Sequence, residues 1–233
     1  MRTFSRVSGH FKKLSLLLIA VTAQFALAQS HPPMETEADF HRAMDELSNW
    51  GRWGDEDELG AANLITPEKR KEAASLVQEG IVVSLAHDVN QEPAVDASAV
   101  LTREVLRVSP TGASDRYEYS GSYHGTIHSH LDALDCHIMY EGSGYNGVTY
   151  QQVEAAGGCP RGDINAHKDG IVTRGVLFDA TLLPGRATAD GWLEPGTAIN
   201  YDDLLALEEI QGVRVEPGDV ILLYTGRWKR REA

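Results

Sequence analysis

Residues 123–137 read YHGTIHSHLDALDCH and hold four of the nine histidines of this 233-residue chain, together with Asp132 and Asp135. Imidazole nitrogens and carboxylate oxygens are the donors that a divalent zinc or manganese ion accepts. Imidazole is also the side chain that moves protons near neutral pH. Spacing decides which of these groups can act together. In an extended strand alternate side chains share a face, which places His124, Thr126, His128, His130 and Asp132 on one side. A helix would align His124, His128 and Asp132 instead, but Gly121, Gly125 and the neighbouring tyrosine and threonine residues favour extended chain. His137 has the opposite parity from Asp132, so a turn within ALDC is needed to bring it back to the same site, where it could pass protons. A solitary histidine is usually a surface or hydrogen-bonded residue. Four of them within fifteen positions, with acids interleaved, point to metal binding or catalysis.

The elements that must carry this stretch alternate in type. TPEKRKEAASLVQEG reads as a helix, with Thr66 as N-cap, Pro67 at the first helical position and Gly80 as its end. IVVSLAHDV (81–89) has the β-branched run of a buried strand, and AVLTREVLRVS (99–109) alternates like another. DRYEYSGSYHG reads as extended chain, TYQQVEAAG as a short helix ended by Gly157, and GIVTRGVLFDA as a strand. NYDDLLALEEIQG forms an amphipathic helix capped at Asn200, and PGDVILLYTG a turn running into a buried strand. A short helix is expected in FHRAMDELSNW, and an ordered loop in GRWGDEDELGAANLI. The mixture predicts an α/β fold. No phosphate-binding glycine loop and no GxSxG elbow accompany it.

At the start, MRTFSRVSGHFKK is basic and LSLLLIAVTAQFALA is an apolar run of 15 residues ending in a small-x-small pattern at Ala26 and Ala28. That is the layout of a signal peptide over residues 1–28, and the run falls short of the ~20 residues that span a bilayer. A flexible leader over 29–45 and one domain over 46–233 follow, with a periplasmic or secreted location. The formal net charge is −13, so nucleic acid and, after cleavage, anionic membranes are poor partners. Export permits a bridge between Cys136 and Cys159, the only cysteines, although their sequence positions alone do not settle it. His87 and His167 read as structural. Arg174, flanked by apolar strand residues, is either half of a buried ion pair or a contact for a substrate carboxylate.

HGTIHSHLDALDCH, together with RWGDEDELGAANLITPEKRKEAASLVQEG, YNG, GIVTRGVLFDA and PGDVILLYTGRW, resembles the cyclase family that includes bacterial kynurenine formamidases and isatin hydrolases. The resemblance runs from about Trp50 to the last residue. It implies an α/β fold with a β-barrel-like mixed sheet core flanked by helices, of the swivelling β/β/α type. It also implies a metal-dependent hydrolase of an amide, formamide or lactam bond, with zinc or manganese as cofactor. Carried over by position, His130 and Asp132 are metal ligands. The further His of the family pattern falls on Thr126; His124 or His128 could take its place, and His128 is favoured for its parity with His130 and Asp132. The proton-transferring His of the family falls on Cys136, one residue before His137, as if Asp135 were an extra residue; His137 is then the catalytic group. Trp50, Trp53 and Tyr123 are the candidates to line the pocket of a small aromatic amide, Trp53 and Tyr123 foremost, by analogy a tryptophan-derived formamide, and the family allows a homo-oligomer. Family members continue past the position of Ala233 and supply further ligands there, so the chain is expected to be incomplete. A catalytically silent member that binds a small molecule or a partner chain is the alternative.

Overall fold

The computed structural model describes residues 34–94, 96, 97, 100–119, 124, 127–134 and 136–233. The expected signal segment lies outside them, as do Tyr123, Thr126 and Asp135. Helix α1 spans Glu37–Glu46. It starts three residues before Phe40, inside the stretch expected to be a flexible leader, because Thr36 and Asp39 form a reciprocal capping box. Hydrogen bonds from Thr36 and Arg42 hold the Asp39 carboxyl down to about 2.

Helix α2, Pro67–Ser75, begins where the sequence predicts, with the Thr66 hydroxyl accepting from the Lys69 amide at 3.2 Å. It stops well short of Gly80. Leu76 and Val77 are both exposed, so a further turn would bury no apolar face, and burial supplies most of a short helix's stability. The expected strand at 81–89 is absent as well. Those residues are irregular, and Val82 is 92% exposed. The preference of β-branched residues for strands is realised only against a packed neighbour, and no described strand lies beside them.

Strands β1 (Leu101–Ser109) and β2 (Gly112–Tyr119) form an antiparallel hairpin, with Leu101 opposite Tyr119 and a register slip between Val105 and Arg107. Cross-strand pairs Arg116–Glu104 (2.6 Å) and Arg103–Asp115 (2.9 Å) lie on it. Helix α3 spans Tyr150–Ala156 and ends at Gly157, as expected. Strand β3 (Gly175–Asp179) pairs in parallel with β4 (Val220–Tyr224), from Gly175 opposite Val220 to Asp179 opposite Tyr224. A parallel pair needs a long crossover, and helix α4 (Tyr201–Gln211) supplies it. Among the described residues the sheets are a hairpin and a two-stranded parallel pair, a mixed α/β arrangement of small open sheets without a closed barrel. Strand β4 is also more exposed than its apolar sequence predicts. Among the described residues no helix is long and apolar enough to cross a membrane.

The main core lies under the parallel pair. Phe178 and Val176 of β3 pack with Ala180, Leu183, Leu193 and Leu207 of α4. Beside it an ionic bolt joins three elements. Lys69 of α2, only 7% exposed, reaches the fully buried Asp219 carboxylate at 2.9 Å. Arg174, just before β3, grips the same carboxylate in a two-pronged contact at 2.9 and 2.6 Å. The open question about Arg174 is thereby answered: it is half of a buried ion pair. Glu216 pairs with both cations, and its amide donates to Asp219 at 2.7 Å. The Arg174 guanidinium, supported by Lys69, holds the Asp219 carboxyl far below the usual carboxylate range even though burial pushes the other way. Gly218 makes this turn possible. Its φ is +85°, and a Cβ there would meet the Leu64 carbonyl oxygen at 2.4 Å.

Basic helix α5, Arg227–Glu232, closes the described chain. Arg227 and Arg231 each bond Asp96 at 3.1 Å, and Trp228 lies against the His87 ring at 3.8 Å between centroids.

Candidate metal centre

The histidine-rich stretch is irregular across its described residues, so the two-residue alternation of a strand does not govern where its side chains go. Ile127 and His128 turn inward at its start. The His128 ring sits edge-on to Tyr119, at the end of β2, with centroids 5.2 Å apart. Two residues on, the His128 carbonyl accepts from His130 Nδ1 at 2.7 Å. A carbonyl can only accept, so Nδ1 carries the proton and the lone pair of neutral His130 is at Nε2. That nitrogen lies 3.5 Å from Asp132 Oδ2, while His124 Nδ1 lies 3.0 Å from Asp132 Oδ1.

His124, His130 and Asp132 therefore offer two nitrogens and one oxygen within 4.8 Å of one another. His130 is the sheltered member, at 13% exposure; the other two are nearly half exposed, each at 46%. A backbone carbonyl that orients a ligating imidazole from behind is the usual supporting arrangement for divalent metals. The donor set suits zinc or manganese. His137 stands outside the cluster with its ring 4.2 Å from that of His124. The turn through Leu134 that parity required does bring it back.

That turn is anchored on both sides. Leu134 packs over Gly60, where a Cβ would come within 2.9 Å of its methyl carbon. Cys136 is joined to Cys159 by a disulfide, with Cα atoms 5.4 Å apart. Leu134 also forms one wall of a cleft of about 860 Å³, whose other walls include Phe40, Trp50, Tyr140 and Tyr145.

The family model described as "Putative cyclase" matches residues 36–233, well over half of the sequence. The chain belongs to the cyclase family. A solved crystal structure described as that of a novel cyclase is 31% identical, superposes with a TM-score of 0.63, and is matched over 78% of this chain. The chain spans 62% of the length of that structure. No curated protein matches the sequence.

Within this cyclase-family chain the ligand choices made from sequence divide. His130 and Asp132 come together as expected. His128 does not join them; it is buried against Tyr119, and His124 occupies the third position. Trp53 is half-buried beneath the Arg52 guanidinium, 4.7 Å from its ring centroid, and is not on the cleft wall, where Trp50 stands instead. Tyr123 lies outside the described residues.

The sequence reading missed a polar clamp beside the cleft. Asn146, at a left-handed φ of 52°, accepts from the Gly51 amide at 2.8 Å and donates to the carbonyls of Gly54 (3.0 Å) and Asp57 (3.2 Å). Arg161 donates to the carbonyls of Asp55 (2.8 Å) and Asn146 (2.9 Å). Asp57 accepts from Asn63, the Gly60 amide and the Tyr145 hydroxyl. Burial opposes ionisation of Asp57, but these three donors outweigh it and hold the carboxyl below its ordinary range. The available signal was the Asn146-Gly147 dipeptide, a turn former. Its partners lie some ninety residues away, beyond any local pattern.

Proposed function

We propose that this protein is a metal-dependent hydrolase of an amide, formamide or lactam bond that acts in a periplasmic or extracellular space. The observation that carries the reading is the His124–His130–Asp132 cradle, with the His130 tautomer set by the His128 carbonyl. A divalent ion held there would supply Lewis acidity and a water that ionises near neutral pH. The chain's own residues do the rest. Asp132 brings a negative charge to the cradle beside His124, while the His128 carbonyl fixes the direction of His130. His137, exposed and with its ring 4.2 Å from that of His124, would hand a proton to a leaving nitrogen, help typically worth about 10²–10⁴-fold. The cleft walled by Phe40, Trp50, Tyr140 and Tyr145 suits a small aromatic acyl or amide group. Under this reading the signal segment 1–28 is removed on export, and zinc or manganese is loaded outside the cytoplasm.

The test is elemental analysis of protein purified without chelators, followed by hydrolysis of an aryl formamide before and after metal removal. Stoichiometric zinc or manganese and metal-dependent turnover that His130→Ala abolishes are expected. Turnover that survives both chelation and His130→Ala refutes the mechanism. Metal-free protein that still binds an aromatic amide would favour the catalytically silent alternative.

A further inference from the structure

The segment that carries the cradle lacks a scaffold of its own. Its described residues are neither helix nor strand, so side-chain anchors determine where its ligands stand. At the front, Ile127 and His128 are buried. Two residues after Asp132, Leu134 seats on Gly60. At the rear, four residues after Asp132 and one before His137, Cys136 is bonded to Cys159. Cys159 in turn sits two residues before Arg161, whose guanidinium is fixed to the carbonyls of Asp55 and Asn146. The disulfide therefore ties the loop bearing the cradle and His137 to the polar clamp, where Asn146 and Arg161 bond the backbone of Gly51, Gly54, Asp55 and Asp57.

We propose that the Cys136–Cys159 disulfide is a positioning element of the metal centre, so that metal affinity depends on the redox state of this bond. The proposal rests on the metal-binding reading above. With the bond closed, two fixed points, Leu134 on Gly60 and Cys136 on the clamp, stand between Asp132 and His137 and set the course of the chain from one to the other. With it open, the rear of the loop is released, and the cradle must be reassembled from a wider ensemble each time a metal binds. Opening is a two-electron step. A phosphine attacks one sulfur and displaces the other as thiolate; water then hydrolyses the thiophosphonium, giving two thiols and the phosphine oxide. Removing a group that orients a metal ligand from outside the first coordination sphere usually lowers affinity about 10–100-fold, and a loss of that order is expected here.

The experiment titrates manganese(II) and cobalt(II) into three forms of the full chain. These are the protein as purified, the protein reduced with tris(2-carboxyethyl)phosphine and freed of reductant under argon, and the Cys136→Ser/Cys159→Ser variant. Thiol counting on the denatured, purified protein comes first, and two free thiols there overturn the proposal. Cobalt absorption in the visible region reports the ligand set, and far-UV circular dichroism reports folding. The expected result is that the oxidised form binds about 10–100-fold more tightly than the other two, with unchanged dichroism. Equal affinities in the three forms overturn the proposal and leave the metal reading standing. Tighter binding by the reduced form, with a thiolate charge-transfer band, also overturns it, because Cys136 would then be a ligand and not a brace. An oxidised form that binds neither ion removes the metal reading itself. Should the reduced form unfold, linkage still gives an answer. Whatever factor the closed bond contributes to metal affinity, bound metal must return to the closed bond, so manganese must shift the glutathione-buffered thiol–disulfide equilibrium toward the disulfide by the same factor. No shift overturns the proposal.

Discussion

Asp219→Asn removes the charge from a side chain that is fully buried and receives four hydrogen bonds: two from Arg174, one from Lys69 and one from the Glu216 amide. The substitution preserves shape, so the loss is electrostatic. Taking away one partner of a buried charge cluster costs about 3–5 kcal/mol, chiefly because the remaining charges stay desolvated. Here the orphaned cations keep some company. Arg174 retains the Arg214 carbonyl at 2.9 Å and Glu216 at 3.2 Å, and Lys69 retains Glu216 at 3.3 Å. The lower end, about 3 kcal/mol, is therefore expected. With a urea slope of about 2 kcal/mol/M, the unfolding midpoint should fall by about 1.5 M, read by tryptophan fluorescence at pH 7. The pH dependence sharpens the test. Asp219 has a depressed folded pKa, so its contribution is complete above the unfolded value of about 4 and is lost as pH falls from there toward the folded value. The gap between wild type and Asp219→Asn should thus be widest at neutral pH and narrow steadily below about pH 4. A midpoint shift under 0.5 M, or a gap that stays constant down to about pH 2, would refute the assignment of this carboxylate as the charged centre of the bolt.

Asp132→Asn should abolish binding of manganese(II), measured by calorimetry, while leaving the thermal melt nearly unchanged. His128→Ala should do the reverse, weakening the fold by about 2 kcal/mol through loss of its packing on Tyr119 while the ligand atoms remain. Asn146→Ala removes three hydrogen bonds from the clamp, and a loss of about 2 kcal/mol in chemical denaturation is expected. Gly60→Ala forces a Cβ against Leu134 at a positive φ, so it should cost more than about 1 kcal/mol and broaden the cobalt spectrum by displacing the cradle loop.

Where a chain segment carries its own instructions, the sequence sufficed. Thr66-Pro67 starts α2, Thr149 and Gly157 bound α3, and Asn200 starts α4 at the expected residues. Each of these signals works within one helical turn, through caps and left-handed ends that need no distant partner. Signals that depend on a neighbour fared worse. IVVSLAHDV and the residues after Ser75 both have the composition of regular structure, yet their large apolar side chains stay exposed. Arg174 could not be resolved from its flanks because its charged partners, Glu216 and Asp219, come from the turn before β4, remote in sequence.

The same division explains the candidate metal site. Composition was enough to locate it, since the crowding of histidine and aspartate in residues 124–137 is visible in any register. Choosing among the histidines required a periodicity, and the strand period was the wrong ruler for a loop. His124, His128 and His130 share parity, so alternation could not separate them. What separates them is the burial of Ile127 and His128 beside β2, which turns one imidazole into the fold and leaves its carbonyl to hold the next. Under the proposed reading His128 serves through its backbone carbonyl. That predicts an asymmetry between substitutions: at position 128 any residue that fills the space against Tyr119, such as His128→Phe, should preserve metal binding, whereas His130→Phe should eliminate it. Equal loss of manganese affinity in the two variants would show that the ring of His128, and not its carbonyl, is what the cradle uses.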